Sequence, residues 1–281
     1  MNRVDVQLFI DGEWMPSESR ETFEVINPVN SELVGTAAKG GRVDAQRALE
    51  AASKAFVSWR RTTGDERARR LKRAAKAILA RRDELAEILT REHGKPLADA
   101  RKEITGAAAT FEYYGEEARR IAGDIAPPKS ATARSLVVRQ PVGVVAAIAP
   151  WNYPVSLMAW KVGPALAAGC TVVVKPPKNA PLAATKVAAS VGESDLPDGA
   201  VNVVTGPSSV VGEELVSNPI TRMVAFTGST ETGRHLMRAA ADDLKKLILE
   251  LGGHTPLVVF KDADLERAVA DGVKRSFRNM G

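Results

Sequence analysis

From residue 134 onward, short runs rich in Val and Ile alternate with stretches at helical spacing, and no other feature of this chain limits its fold as strongly. The apolar runs are Leu136–Arg139, Gly143–Ile148, Thr171–Val174, Val201–Val204, Met223–Phe226, Leu247–Leu249 and Leu257–Phe260. Helical spacing falls near 155–167, 181–191, 208–217, 230–240 and 264–277. Strands that are apolar on both faces need cover on both faces, and a helix between two strands returns the chain to run parallel. The pattern predicts an α/β fold with a doubly wound, mostly parallel sheet.

The amino-terminal third has a different texture. "LFIDGEW" carries an Asp11-Gly12 hairpin signal, and "FEVINPVN" is a second extended run broken by Pro28 and Asn30. Helical spacing then covers 43–59, 64–92 and 96–122, with Thr63 and Glu66 as a capping box and Gly94 as a stop. "GDIAPPKS" marks the loop that ends this part. The net charge of +5 comes mostly from 67–82, "RARRLKRAAKAILARR". Leu71, Ala75, Ile78, Leu85 and Ile88 recur there at helical spacing, so the basic residues form the solvated face of a helix. No aromatic platform interleaves with them, which argues against a nucleic-acid partner. No apolar run approaches the roughly 20 residues of a membrane helix, and the first residues lack the order of a secretory signal. One cysteine permits no internal disulfide, and His93, His235 and His254 lack metal-ligand spacing. The chain reads as cytoplasmic, with no membrane and no metal.

In a parallel sheet, ligands gather beyond the carboxyl ends of the strands. Four exits carry polar groups. "APWNYP" puts Asn152 ahead of a helix, as a donor to a developing oxyanion or as a helix cap. "KPPKN" offers the ammonium groups of Lys175 and Lys178, which suit an anion or are plain surface lysines. "TGSTETG" sets Gly228 and Ser229 where helix N–H groups can receive a phosphate, although it is neither GxGxxG nor a Walker loop. "ELGGHTP" places Glu250 before two glycines, as a general base or a structural carboxylate.

Taken in order, "APWNYP", "GPALAAGCTVVVKP", "FTGSTETG" and "LELGGHTP" resemble the aldehyde dehydrogenase superfamily over essentially the whole chain. "SNPITRMVAFTGSTETGRHLM", "DADLERAV" and "FRNMG" are most similar to its succinate-semialdehyde dehydrogenase-like members. The resemblance implies oxidation of a small-molecule aldehyde to a carboxylate. A cysteine thiolate forms a thiohemiacetal, a hydride passes to NAD or NADP, and the resulting thioester is hydrolysed. It implies a Rossmann-like cofactor domain over 134–262, amino-terminal strands and helices over 1–133 packed on it, and the start of a catalytic domain at 263–281. It also implies a homo-oligomer for the full-length enzyme. By residue, Asn152 matches the oxyanion donor and Glu250 the base. Ile148, Trp151, Lys175, Gly228, Ser229 and Leu251 match cofactor contacts.

Three departures qualify that picture. The only cysteine, Cys170, lies at the start of a Val-rich run and reads as a buried bystander. The family's nucleophile follows an "FRN" segment and is expected at the third residue beyond Gly281, so these residues alone are not expected to oxidise aldehydes. A non-catalytic dinucleotide-binding module and half of a split enzyme are the alternative readings. Lys178 stands where NAD-preferring members often carry Glu, which favours NADP. Among substrate positions, Arg278 matches one of two carboxylate-holding arginines, whereas Trp160 occupies the place of the other, and an indole cannot replace a bidentate guanidinium.

Overall fold

The computed structural model describes residues 3–128 and 130–280. The chain opens with β1 (Leu8–Ile10) and β2 (Glu13–Met15), a hairpin whose two turn residues, Asp11 and Gly12, have φ of 52° and 83°. That left-handed pair matches the twist of the strands, which is why an Asp-Gly sequence serves there. A second hairpin, β3 (Thr22–Ile26) and β4 (Leu33–Ala38), precedes the helices α1 (Arg42–Trp59), α2 (Gly64–Ala80), α3 (Arg82–His93) and α4 (Leu97–Ala118). The continuous helix expected over 64–92 is thus two. It breaks at Arg81, whose guanidinium is held by Glu84 and by Ser190, so the second helix starts on its own acidic first turn. Thr63 and Glu66 form the capping box, and Gly94 ends α3 at φ 87°.

Then follow β5 (Asp124–Ala126), β6 (Ser135–Val137), β7 (Val144–Ile148), α5 (Pro154–Ala167), β8 (Thr171–Lys175), α6 (Leu182–Gly192) and β9 (Val201–Val203). A wide turn over Ser208–Gly212 leads into α7 (Glu213–Ser217), and β10 (Thr221–Thr227), α8 (Thr230–Ala241), β11 (Lys246–Glu250) and α9 (Leu265–Ser276) complete the order. The large sheet runs β11-β10-β7-β8-β9-β1-β2. Pairing is parallel from β11 to β9 and antiparallel where β1 and β2 extend it. Along β7, Val145 and Ala147 join the core under α2–α6, while Val144, Ala146 and Ile148 join the core with residues of α1, α7 and α8. Both faces are covered, as apolar strands require.

Two expected strands are not in that sheet. The apolar run Leu136–Arg139 predicts a strand within it, yet among the described residues Ser135–Val137 pairs only with Asp124–Ala126, in a separate exposed ribbon. Leu257–Phe260 forms no strand, and Phe260 is 72% exposed. A run of Val and Phe has β propensity, but without a neighbour among the described residues its N–H and C=O groups have no ladder to join. No described helix is long and apolar enough to cross a membrane.

Candidate active site

The chain leaves β7 toward β8 on one side and later returns through β10 on the other. This reversal opens a crevice at the carboxyl ends of the strands, where doubly wound sheets bind ligands. A cavity of about 630 Å³ lies there. Ile148, Trp151 and Asn152 reach it from β7, Lys175 and Lys178 from β8, Gly228 and Ser229 from β10, and Glu250 and Leu251 from β11. Residues as far apart as 148 and 251 converge because parallel strands end at one edge.

Asn152 is not the cap of the helix it precedes. The first N–H groups of α5 at Val155 and Ser156 are taken by Glu103 Oε1, at 3.0 and 3.1 Å. The Asn152 side-chain amide is left without a hydrogen-bond partner among the described residues, while its main-chain oxygen accepts from Lys95 Nζ at 3.2 Å and from Asn279 Nδ2 at 2.7 Å. Trp151 stacks on His93, centroids 5.9 Å apart. Burial pushes the His93 imidazole down to about 4, with the Lys95 ammonium adding to it.

Lys175 is 2% exposed, and burial lowers its ammonium to about 8. Its recorded partner is one carbonyl, that of Pro176 at 3.1 Å, so two of its three donors remain for a ligand in the crevice. Lys178 stands exposed at the rim. Ser229 caps α8 by accepting from the Thr232 N–H at 3.1 Å, and the start of this twelve-residue helix opens into the crevice. At Gly228 a Cβ would come within 2.3 Å of the Phe226 ring, so any other residue there would have to displace that ring. A buried cation with spare donors, an open helix start and a close backbone fit a dinucleotide.

Glu250 pairs in register with Thr227 across β10 and β11 and accepts its hydroxyl at Oε2, 2.8 Å away. Thr227 in turn accepts from Lys161 Nζ at 2.6 Å, and burial lowers Lys161 to about 8. Neither Lys161 nor Thr227 was singled out in the sequence. The available signal was a lone lysine in the apolar helix "PVSLMAWKVGPALA". A second cavity of about 450 Å³ includes Lys161, Thr227 and Glu250 in its lining and also meets Trp160, 55% exposed on α5. Trp160 continues into a groove of about 340 Å³ with Tyr113 and Tyr114. Arg278 lines none of these cavities; its charge acts on Lys95.

Cys170 lines the far end of that second cavity, just before the amino end of β8. By register Glu250 is level with Pro176, six residues past Cys170, which at ~3.3 Å per residue separates them by about 20 Å along the strands. The thiol is buried and its pKa is raised by that burial.

The sequence pattern of the aldehyde dehydrogenase family matches residues 14–281. The chain is 46% identical over 275 residues to a glutarate-semialdehyde dehydrogenase of Pseudomonas aeruginosa, covering 98% of this chain and 57% of that protein. It is 45% identical over 275 residues to the NADP(+) succinate-semialdehyde dehydrogenase of Escherichia coli, with the same coverage of 98% and 57%. The crystal structure of succinate-semialdehyde dehydrogenase from Burkholderia pseudomallei superposes with a TM-score of 0.95 at 47% identity, over 98% of this chain and 57% of that one. The chain therefore spans a little over half the length of these relatives.

Proposed function

The chain belongs to the aldehyde dehydrogenase family, and from that premise we propose that it forms the cofactor-holding and charge-stabilising part of an NAD(P)-dependent aldehyde dehydrogenase. The convergence of Asn152, Glu250 and the cofactor-facing side chains on one crevice is the observation that carries this reading. When bound, the cofactor supplies the two-electron acceptor for the oxidation. Ile148, Trp151, Lys175, Lys178, Gly228, Ser229 and Leu251 would hold it.

The Asn152 amide, released from capping duty, donates to the substrate oxygen as negative charge develops there. Glu250 takes a proton from the water that hydrolyses the acyl intermediate. The Thr227 hydroxyl occupies Oε2, which leaves Oε1 as the basic oxygen. Lys161, donating to Thr227, keeps that hydroxyl turned toward Glu250.

Cys170 does not serve as the nucleophile, being buried and about 20 Å along the sheet from Glu250. The 281-residue chain by itself is thus expected to bind cofactor without oxidising aldehydes. Calorimetric titration with NADP⁺ and an assay for aldehyde-dependent NADPH formation test both halves. Turnover above that of a Glu250→Ala control would overturn the second half, and no cofactor binding would overturn the first.

The ammonium of Lys178 favours NADP⁺, because it attracts the 2′-phosphate that a carboxylate there would repel. The aromatic groove at Tyr113, Tyr114 and Trp160 favours an aldehyde with an uncharged tail. A complete enzyme with succinate semialdehyde as its best substrate by far would refute that preference.

A further inference from the structure

We propose that Lys95 and Glu103 are positioning residues for Asn152: together they hold the 149–153 loop in the one arrangement that leaves its amide free. Lys95 Nζ and Glu103 Oε2 lie 2.5 Å apart, with side chains 1% and 2% exposed. A buried ion pair is a weak device for stability, since desolvation offsets its attraction. Its contacts point to another use.

Each partner grips a different side of the loop. Glu103 Oε1 takes the two N–H groups that open α5. Asn152 stands one residue before the N-cap, Tyr153. With Glu103 in place those N–H groups no longer draw the Asn152 side chain, whose residue type is among the best of caps. Lys95 fixes the loop from the other side, donating to the Asn152 carbonyl at 3.2 Å and lying 4.5 Å from the centre of the Tyr153 ring. The pair comes from the turn after α3 and from α4, so the loop is referenced to the helical layer rather than to the strand that feeds it.

The catalytic meaning of this arrangement rests on reading Asn152 as the oxyanion donor, whereas the order of the loop does not. Hydrogen exchange at the amides of Val155, Ser156 and Leu157, which donate to Glu103 Oε1 and to the Tyr153 carbonyl, measures that order in the 281-residue chain. Lys95→Met combined with Glu103→Gln removes both charges, keeps an oxygen for the helix N–H groups and deletes the Lys95 bond to the Asn152 carbonyl, leaving the one from Asn279. Exchange at those three amides is expected to rise at least tenfold, with β8 and α6 unchanged. Fluorine NMR of 5-fluorotryptophan protein is expected to show the Trp151 line shifted and the Trp59 line in place.

Glu103→Gln alone retains the bond from Lys95, so its loop exchange stays within about threefold of the unmodified chain. An ion pair acting only on stability would loosen the loop at least as much in Glu103→Gln, which leaves the Lys95 ammonium buried without its carboxylate, as in the double variant, and that result, or unchanged exchange in the double variant, would overturn the proposal. NADP⁺ titration of the unmodified chain tests the reading of the crevice separately.

Discussion

Replacing Lys175 with Met is expected to stabilise the folded chain while weakening its hold on the cofactor. The ammonium titrates near 10.5 when solvated and near 8 in the fold, where burial disfavours its charge. The shift corresponds to about 3 kcal/mol of stability forgone at any pH below the folded value. Between pH 8 and 10.5 the unfolded chain binds the extra proton, so stability rises with pH across that window and the penalty is gone above it. Met matches the length of the side chain without the charge. Losing the bond to the Pro176 carbonyl takes back about 1 kcal/mol, leaving a net gain of about 2 kcal/mol near neutral pH. Urea unfolding of both proteins near pH 7 and near pH 10 reads the difference from the midpoints at constant slope. The gain is expected at the lower pH and largely absent at the higher one. A variant no more stable than the original near pH 7, or an advantage equal at both values, would refute the burial argument. With saturating NADP⁺ the order reverses, because the ligand stabilises whichever protein binds it better.

Lys178→Glu is expected to shift the NADP⁺ to NAD⁺ affinity ratio at least tenfold toward NAD⁺, read by calorimetry, and an unchanged ratio would discard its part in cofactor choice. Thr227→Val removes the hydroxyl between Lys161 and Glu250 and is expected to destabilise by about 1–3 kcal/mol, measured by urea unfolding, because the buried ammonium loses an acceptor. Burial raises Glu92, whose carboxylate oxygens take the first N–H groups of α6, to about 8. Its folded form binds the extra proton between pH 4.5 and 8, so this group's contribution to stability falls as pH rises through that range, and Glu92→Gln is expected to flatten the slope.

Much of the architecture was legible because it follows from local chemistry. Period and β-branching mark β7, β8 and β10, Asp11-Gly12 marks the first turn, and Thr63 with Glu66 marks the start of α2. The strand exits were legible for the same reason, since a parallel sheet sends every such exit to one edge. Leu136–Arg139 and Leu257–Phe260 misled because an apolar run states that it wants cover, not which strand will lie beside it.

What the sequence alone determined is therefore most of the strands and helices and the identity of the groups at the sheet's carboxyl edge. Which of those groups is free to act was decided by tertiary structure. Nothing in "PWNYP" says that Glu103, 52 residues before Val155, takes the helix N–H groups and so leaves the Asn152 amide unpaired. Nothing in "AWK" says that Lys161 reaches Thr227, 66 residues on, and through it Glu250. Hydrogen bonds form between groups brought within about 3 Å, and only the packing of helices on the sheet brings these together.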